Sequence, residues 1–326
     1  MKILLFSDLH LHSSWLDRSV KFLKWLTKQI HHHKPDYVFF LGDVFEEKDR
    51  ILNKLKKILI SFISQPNFPP FLWLIGNHDF STNEATTIEF LENVIKEPQI
   101  VEFGGKSFLF LPYGTTHPYV EDVDYICLHD AVEGTALPSG FTFRCGITLD
   151  YLKQYNPKKI FAGHIHIPMN NGWFYYLGSP IERDFRDGFI GGITPVERGV
   201  YLLDTETDEV SLLEYKDLRF LHIKVSSKDE FVNAINLINQ RFIDNGYPVA
   251  LWVEQLTDFE LPEFDKSIFF SFIRAKPVEE APEVVVEKQL ADLKQVINKF
   301  VPRKYKKDET FWSYGEKIFQ KVGIDL

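Results

Sequence analysis

At 326 residues, with 44% hydrophobic and 25% charged residues, the chain has the composition of a globular protein with room for one large domain and a smaller one. A net charge of −9 gives no general attraction for nucleic acid or anionic membrane, although bound divalent cations would add positive charge that this count omits. The two cysteines, Cys127 and Cys145, provide no disulfide framework, and their apolar or small neighbours predict two small buried hydrophobes. The chain enters a strand at Lys2, so no signal peptide is expected. No apolar run approaches the ~20 residues of a membrane span, so no membrane partner and a cytoplasmic location are expected.

Taken in order, the first apolar run is Ile3-Leu4-Leu5-Phe6, which leads into Ser7-Asp8-Leu9-His10. Helical spacing of Leu16, Val20, Leu23 and Ile30 predicts a helix from Trp15 to His33, with His31-His32-His33 as its solvated end and Pro35 as its stop. Strand Tyr37–Leu41 ends in Gly42-Asp43, and a helix is expected from Asp49 to Ser64. Strand Phe71–Ile75 ends in Gly76-Asn77-His78-Asp79, and Ile88, Leu91 and Ile95 predict a helix from Glu84 to Lys96. A hairpin about Gly104-Gly105 follows, then a strand ending in His129, a short helix from Leu149 to Tyr155, and strand Ile160–Ala162 ending in Gly163-His164-Ile165-His166. This alternation predicts a largely parallel sheet with helices on both faces.

The pattern changes at Trp173. A strand to Leu177 precedes Gly178-Ser179-Pro180, and a hairpin joins Gly199–Asp204 to Glu209–Tyr215. Residues 1–215 are therefore expected to form the main domain, and 216–274 a smaller α+β cap. A proline- and acid-rich linker is expected over 275–284, and a helical tail over 285–326 carries Val286, Leu290, Leu293, Ile297 and Phe300 at helical spacing.

Five strands thus deliver Asp8, His10, Asp43, Asn77, His78, His129, His164 and His166 at their ends, where open α/β sheets place their chemistry. Carboxylates, imidazoles and an amide suit borderline-hard divalent ions such as Mn²⁺, Fe²⁺ or Zn²⁺. A pair of ions needs a shared ligand, and Asp43 at a central strand end is the natural bridge. Two ions ~3.5–4 Å apart clamp the attacking and leaving oxygens of an in-line phosphoryl displacement.

Asp8-Leu9-His10, Gly42-Asp43, Gly76-Asn77-His78-Asp79, His129 and Gly163-His164-Ile165-His166 together resemble the signature of the calcineurin-like metallophosphoesterases over residues 1 to about 180. The resemblance implies an α/β metallophosphoesterase sandwich of mixed β-sheets flanked by helices, with the small α+β capping domain and helical C-terminal tail already described. It also implies two divalent ions, foremost Mn²⁺, with Mg²⁺, Fe²⁺ or Zn²⁺ as alternatives. One would be held by Asp8, His10, Asp43 and His166, the other by Asp43, Asn77, His129 and His164. His78 would act on the phosphate or its leaving oxygen, with Asp79 orienting it.

Gly178-Ser179-Pro180, the cap and the tail make the chain similar to the Mre11/SbcD-type DNA nucleases, including the nuclease subunit of T4-like phages. That similarity implies exonuclease or endonuclease action in DNA recombination and repair. It implies a homodimer formed through helices on the flank of the nuclease domain, for which Asp49–Ser64 and Glu84–Lys96 are the candidates, and a Rad50/SbcC-like ATPase bound by the tail. A phage source would move the expected location to the host cytoplasm. Basic groups available to DNA are Arg183 and Arg186, with Arg303, Lys304, Lys306 and Lys307 in the tail. Two positions depart from the family: His12 replaces a common glycine and is a candidate substrate contact, and Glu46 replaces a second functional histidine. A phosphatase or phosphodiesterase for a non-DNA substrate is the alternative.

Overall fold

Side chains one residue apart on a strand face opposite ways, and β1 (Lys2–Phe6) shows the consequence. Ile3 and Leu5 face one side, Leu4 and Phe6 the other, and all four are fully buried. Such a strand needs cover on both faces. The computed structural model describes residues 1–48, 51–80, 86–137, 140–188, 196–269 and 271–275, and shows how that cover is arranged.

Next to β1 lies β2 (Tyr37–Leu41), then β3 (Phe71–Leu74) and the two-residue β4 (Val94–Ile95), all parallel. A second sheet is built from β5 (Gln99–Phe103), β6 (Lys106–Leu111), β7 (Tyr125–Leu128), β8 (Lys159–Ala162), β9 (Met169–Asn170) and β10 (Phe174–Tyr176), in the order β5-β6-β7-β8-β10-β9. β11 (Gly199–Asp204) and β12 (Glu209–Glu214) return antiparallel beside β1, completing the first sheet as β12-β11-β1-β2-β3-β4.

The inner faces of both sheets contribute to one core. Ile3, Leu5, Phe39, Leu41 and Leu74 of the first pack with Phe108, Phe110, Tyr125, Cys127 and Phe161 of the second. Phe39 is the hub: its ring lies 5.2 to 5.5 Å from those of Phe103, Phe108 and Phe110. On the outer face of the first sheet, Leu4, Phe6, Val38, Phe40 and Trp73 pack under α1 (Leu16–His33) and α2 (Asn53–Ile63). The outer face of the second sheet packs Leu109, Ile126, Leu128 and Ile160 with Leu152 of α3 (Leu149–Lys153). The layers are therefore helix, sheet, sheet, helix.

This is the sandwich of mixed sheets flanked by helices that the family resemblance implies, and it replaces the largely parallel sheet with helices on both faces that the strand–helix alternation predicted. Burial of both strand faces was legible in the sequence, but hydrophobic runs do not say whether a face is covered by a helix or by another sheet. Two further expectations change. Described residues of the expected helix from Glu84 to Lys96 form turns ending in β4, with Asn93 at φ 58°; residues 84 and 85 lie outside the described residues. Ile88, Leu91 and Ile95 are buried, as their spacing suggested, at 0%, 7% and 3% exposure, but Ile88 and Leu91 lie in turns laid on the outer core and Ile95 lies in β4. Cys127 is buried, whereas Cys145 is exposed.

The third sheet, β13 (Arg219–Val225), β14 (Val249–Gln255) and β15 (Ser271–Ala275), is parallel throughout. α4 (Phe185–Gly188) precedes it in the chain, and α5 (Lys228–Ile238) follows β13. Ser227 Oγ accepts the Glu230 N–H, and the Glu230 carboxylate accepts the Ser226 N–H, a reciprocal cap that sets where α5 begins. Phe231, Ile235 and Ile238 of α5 pack on Leu221, Ile223, Leu251 and Val253 in a separate core. Residues 276–326, which hold most of the expected linker and all of the tail, lie outside the described residues. No described helix is long and apolar enough to cross a membrane.

Candidate metal centre

Four residues at the tips of β1, β2 and β8 adopt the left-handed backbone region: Asp8, His10, Asp43 and His164, with φ of 53°, 45°, 61° and 74°. Non-glycine residues rarely do so, and such positions concentrate at functional sites. The Asp8 N–H donates to Gly42 O at 3.0 Å and the His10 N–H to Asp43 O at 3.1 Å, which fastens two of these tips together.

Asp8, His10, Asp43 and His166 each offer one ligand atom within 4.8 Å of the others. His10 Nε2 lies 3.1 Å from His166 Nε2, 3.4 Å from Asp43 Oδ2 and 3.9 Å from Asp8 Oδ1. The other ring nitrogens face outward: His166 Nδ1 is 3.0 Å from Asp187 Oδ1, and His10 Nδ1 is 2.8 Å from Glu46 Oε2. The His10–Glu46 contact is close in distance but lacks hydrogen-bond alignment.

A second group converges beside the first. His129 Nδ1 donates to Leu41 O at 2.5 Å, which directs Nε2 at Asn77 Oδ1, 3.2 Å away, and at Asp43 Oδ2, 3.4 Å away. His164 Nδ1 lies 2.8 Å from the same Asn77 oxygen. Asp43 Oδ2 is thus equally distant from His10 and His129, between the two groups.

The His129 ring threads a slot between the sheets. A Cβ on Gly42, at φ 91°, would sit 2.2 Å from its Nδ1, and one on Gly163 2.6 Å from the same atom. Only glycine leaves room at these two tips, one in each sheet.

Nearly every inward atom of both groups is an acceptor: carboxylate oxygens, an amide oxygen and imidazole lone pairs. Facing acceptors repel unless a proton or a cation lies between them. Burial opposes a charge on His129, yet the Asp43 carboxylate beside it raises the imidazole to about 10. Burial likewise opposes ionised Asp43, but His129 and His10 hold it well below the usual carboxylate range. The site thus attracts positive charge in the interior, and its donor set fits divalent ions of the borderline-hard class.

His78 stands at the edge of the first group, its ring 4.7 Å from that of His10. Its backbone N–H donates to Asp43 Oδ1 at 2.7 Å, and its Nδ1 lies 2.8 Å from Glu46 O. Asp79 was expected to orient this ring. Instead its carboxylate accepts the backbone N–H groups of Asp43, Val44 and Gly76 at 2.8, 3.0 and 2.9 Å, and the Glu46 carbonyl holds His78. Burial first, then Asp43, raises the Asp79 carboxyl to about 7.

The expected substrate contacts fare differently. Arg183 reaches the site, but its guanidinium is committed to Glu46 at 2.7 Å and Asp187 at 2.8 Å. His12 Nδ1 accepts the Ser14 N–H, and its Nε2 faces Glu47 Oε1 at 3.2 Å, so it caps the turn before α1. Arg186 falls on α4, and its side chain lies outside the described residues, as do Arg303, Lys304, Lys306 and Lys307.

Arg198 had no signal in the sequence beyond a charge next to a strand. Its guanidinium is fully buried and donates to His166 O, Ser179 O, Asp187 O and Glu182 Oε1. It therefore holds the backbone of one candidate ligand and of Asp187. Ser179 adds a link from the expected Gly-Ser-Pro turn, with Oγ 2.8 Å from Asp8 O.

The family model for calcineurin-like phosphoesterases matches residues 1–168. The chain belongs to that family. No curated protein matches the chain. Among solved structures, YfcE, a phosphoesterase from E. coli, aligns at 12% identity and a TM-score of 0.31, covering 64% of this chain and 96% of that one. Family membership makes this a metallophosphoesterase, a hydrolase of a family that uses divalent metal, and Asp8, His10, Asp43 and His166 form a cluster that could hold such an ion.

Proposed function

We propose that this phosphoesterase is a two-metal DNA nuclease acting in recombination and repair as the nuclease subunit of an Mre11–Rad50/SbcCD-like complex. The observation that carries the two-metal part is Asp43 Oδ2, 3.4 Å from both His10 Nε2 and His129 Nε2. Asp8, His10, Asp43 and His166 would hold one ion, and Asp43, Asn77, His129 and His164 the other, with Mn²⁺ the leading candidate. Bound there, the ions would polarise the phosphate and lower the pKa of water.

The chain's own groups carry the remaining steps. With Nδ1–H held by the Glu46 carbonyl, the proton that His78 can move is the one on Nε2. A protonated ring donates it to the leaving oxygen and remains neutral with Nδ1–H in place. Asp187 and Leu41 O hold the outward nitrogens of His166 and His129, so those rings cannot flip away from the centre. The DNA substrate, the homodimer and the ATPase bound through 285–326 rest on the similarity of the sequence motifs to the Mre11/SbcD type. A phosphatase or phosphodiesterase for a non-DNA substrate is favoured by one observation: Arg183, the cation beside the centre, is neutralised by Glu46 and Asp187.

The test is cleavage of end-labelled linear duplex and single-stranded DNA with and without Mn²⁺, by wild type and His78→Ala. Metal-dependent cleavage lost in the variant supports the nuclease reading and the role of His78. If wild type leaves DNA intact but hydrolyses a simple phosphodiester in a His78-dependent way, the DNA assignment fails and the metal centre stands.

A further inference from the structure

An aromatic side chain stands at the rim of the second ligand group with no structural task that explains it. Tyr113 directly follows the strand end at Leu111-Pro112 and is 38% exposed, one of few large rings left open among the described residues. Its ring centroid lies 5.4 Å from that of His164, tilted by 41°, and 6.4 Å from that of His129.

The turn that presents it is fastened at several points. The Tyr113 N–H donates to Ile75 O at 3.0 Å, which ties it to the segment leading into Asn77. The Gly114 N–H donates to Asp130 Oδ2 at 3.2 Å, beside His129. Thr115 closes the turn on Pro112 O through both its N–H, at 3.2 Å, and its hydroxyl, at 2.7 Å. The turn thus holds a partly open aromatic ring against two candidate ligands, one following β7 and one following β8, with a face left accessible at the site.

We propose that Tyr113 is a stacking platform for a nucleobase next to the phosphodiester being cleaved. The assignment rests on the phosphodiesterase reading above and deepens it by naming what lies beside the phosphate. Planar bases stack on tyrosine irrespective of sequence, so the platform recognises nucleic acid as a class. It also supplies an attraction that the neutralised Arg183 does not.

Two oligomers of equal length separate the base from the backbone: oligothymidylate, and the same sugar–phosphate chain with abasic sites throughout. Wild type, Tyr113→Ala and Tyr113→Phe are compared for kcat/KM with Mn²⁺, and for binding in EDTA by fluorescence anisotropy. Tyr113→Ala is expected to lower the ratio of oligothymidylate to abasic kcat/KM on the order of tenfold, and the ratio of affinities similarly, while Tyr113→Phe keeps both ratios. Unchanged ratios in Tyr113→Ala, with both oligomers slowed alike, would overturn the platform and make the ring a wall for His164. Equal loss of the ratios in Tyr113→Phe would assign the effect to the hydroxyl and also overturn it. If wild type cleaves neither oligomer yet binds oligothymidylate in preference to the abasic chain through Tyr113, the nuclease reading fails while the platform survives. If it neither cleaves nor discriminates, both fail.

Discussion

Replacing Arg198 by Met tests whether a single buried guanidinium holds the loop that carries His166 and Asp187. The side chain has 0% exposure, and Met fills much of its volume without its charge. Glu182, itself only 6% exposed, would lose the Arg198 contact at 3.1 Å and keep Arg219 at 3.2 Å and the Phe220 N–H at 2.8 Å. Breaking a buried pair from one side costs roughly 3–5 kcal/mol, and the remaining Arg219 offsets part of it. The carbonyls of His166, Ser179 and Asp187 each lose a donor, at about 1 kcal/mol net apiece. A loss of about 4–5 kcal/mol lowers Tm by on the order of 10 °C in a domain of this size. Thermal unfolding followed by circular dichroism in EDTA measures it. The Arg198→Met/Glu182→Gln double variant should lose less than the two single variants summed, since the two residues share one network. A Tm within about 2 °C of wild type, or strict additivity in the double variant, would refute the argument.

Gly42→Ala forces a Cβ to 2.2 Å from His129 Nδ1 at φ 91°, so soluble yield or Tm should fall steeply, with at least about 3 kcal/mol lost. A variant as stable as wild type would mean that the slot is looser than described. Glu46→Gln removes the charge 2.8 Å from His10 Nδ1 and the partner of Arg183, so calorimetry should show Mn²⁺ bound about 10–100-fold more weakly. Unchanged affinity would remove Glu46 from the support of the centre. Asp79 has a folded-state pKa raised from 3.8 to about 7, so the metal-free folded protein binds its proton more tightly than the unfolded chain does. Stability from this group is therefore lost as pH rises from about 4 to about 7, and urea unfolding in EDTA should lose that slope in Asp79→Asn. An unchanged slope would assign it to another group.

Much of the centre was legible because its signal is positional. A strand that ends in a ligand residue places it at one edge of a sheet whatever the rest of the fold does, so Asp8, His10, Asp43, Asn77, His129, His164 and His166 converge as the strand ends suggested. What supports them was not legible. Arg198, Glu182 and Asp187 act through contacts between segments distant in the chain, and no periodicity marks such pairs. Asp79 was legible as part of the site but not in its contacts, because the side chain turns back onto backbone N–H groups that every residue possesses. The helix expected over Glu84–Lys96 failed for a related reason. Apolar residues three and four apart need only reach one core, and a turn held by Ile88 and Leu91 satisfies that as well as a helix does.

The slot around His129 bears on how this centre can change. Its ring is confined by the bare backbones at positions 42, 76 and 163, contributed by both sheets. A shorter ligand at 129 would leave a gap along the seam, yet it would not make room for a side chain at 76 or 163, where a Cβ would meet the Asp43 backbone N at 2.6 Å and Leu41 O at 2.4 Å. Retuning the metal preference through this ligand therefore means exchanging residue 129 inside a glycine frame that stays as it is.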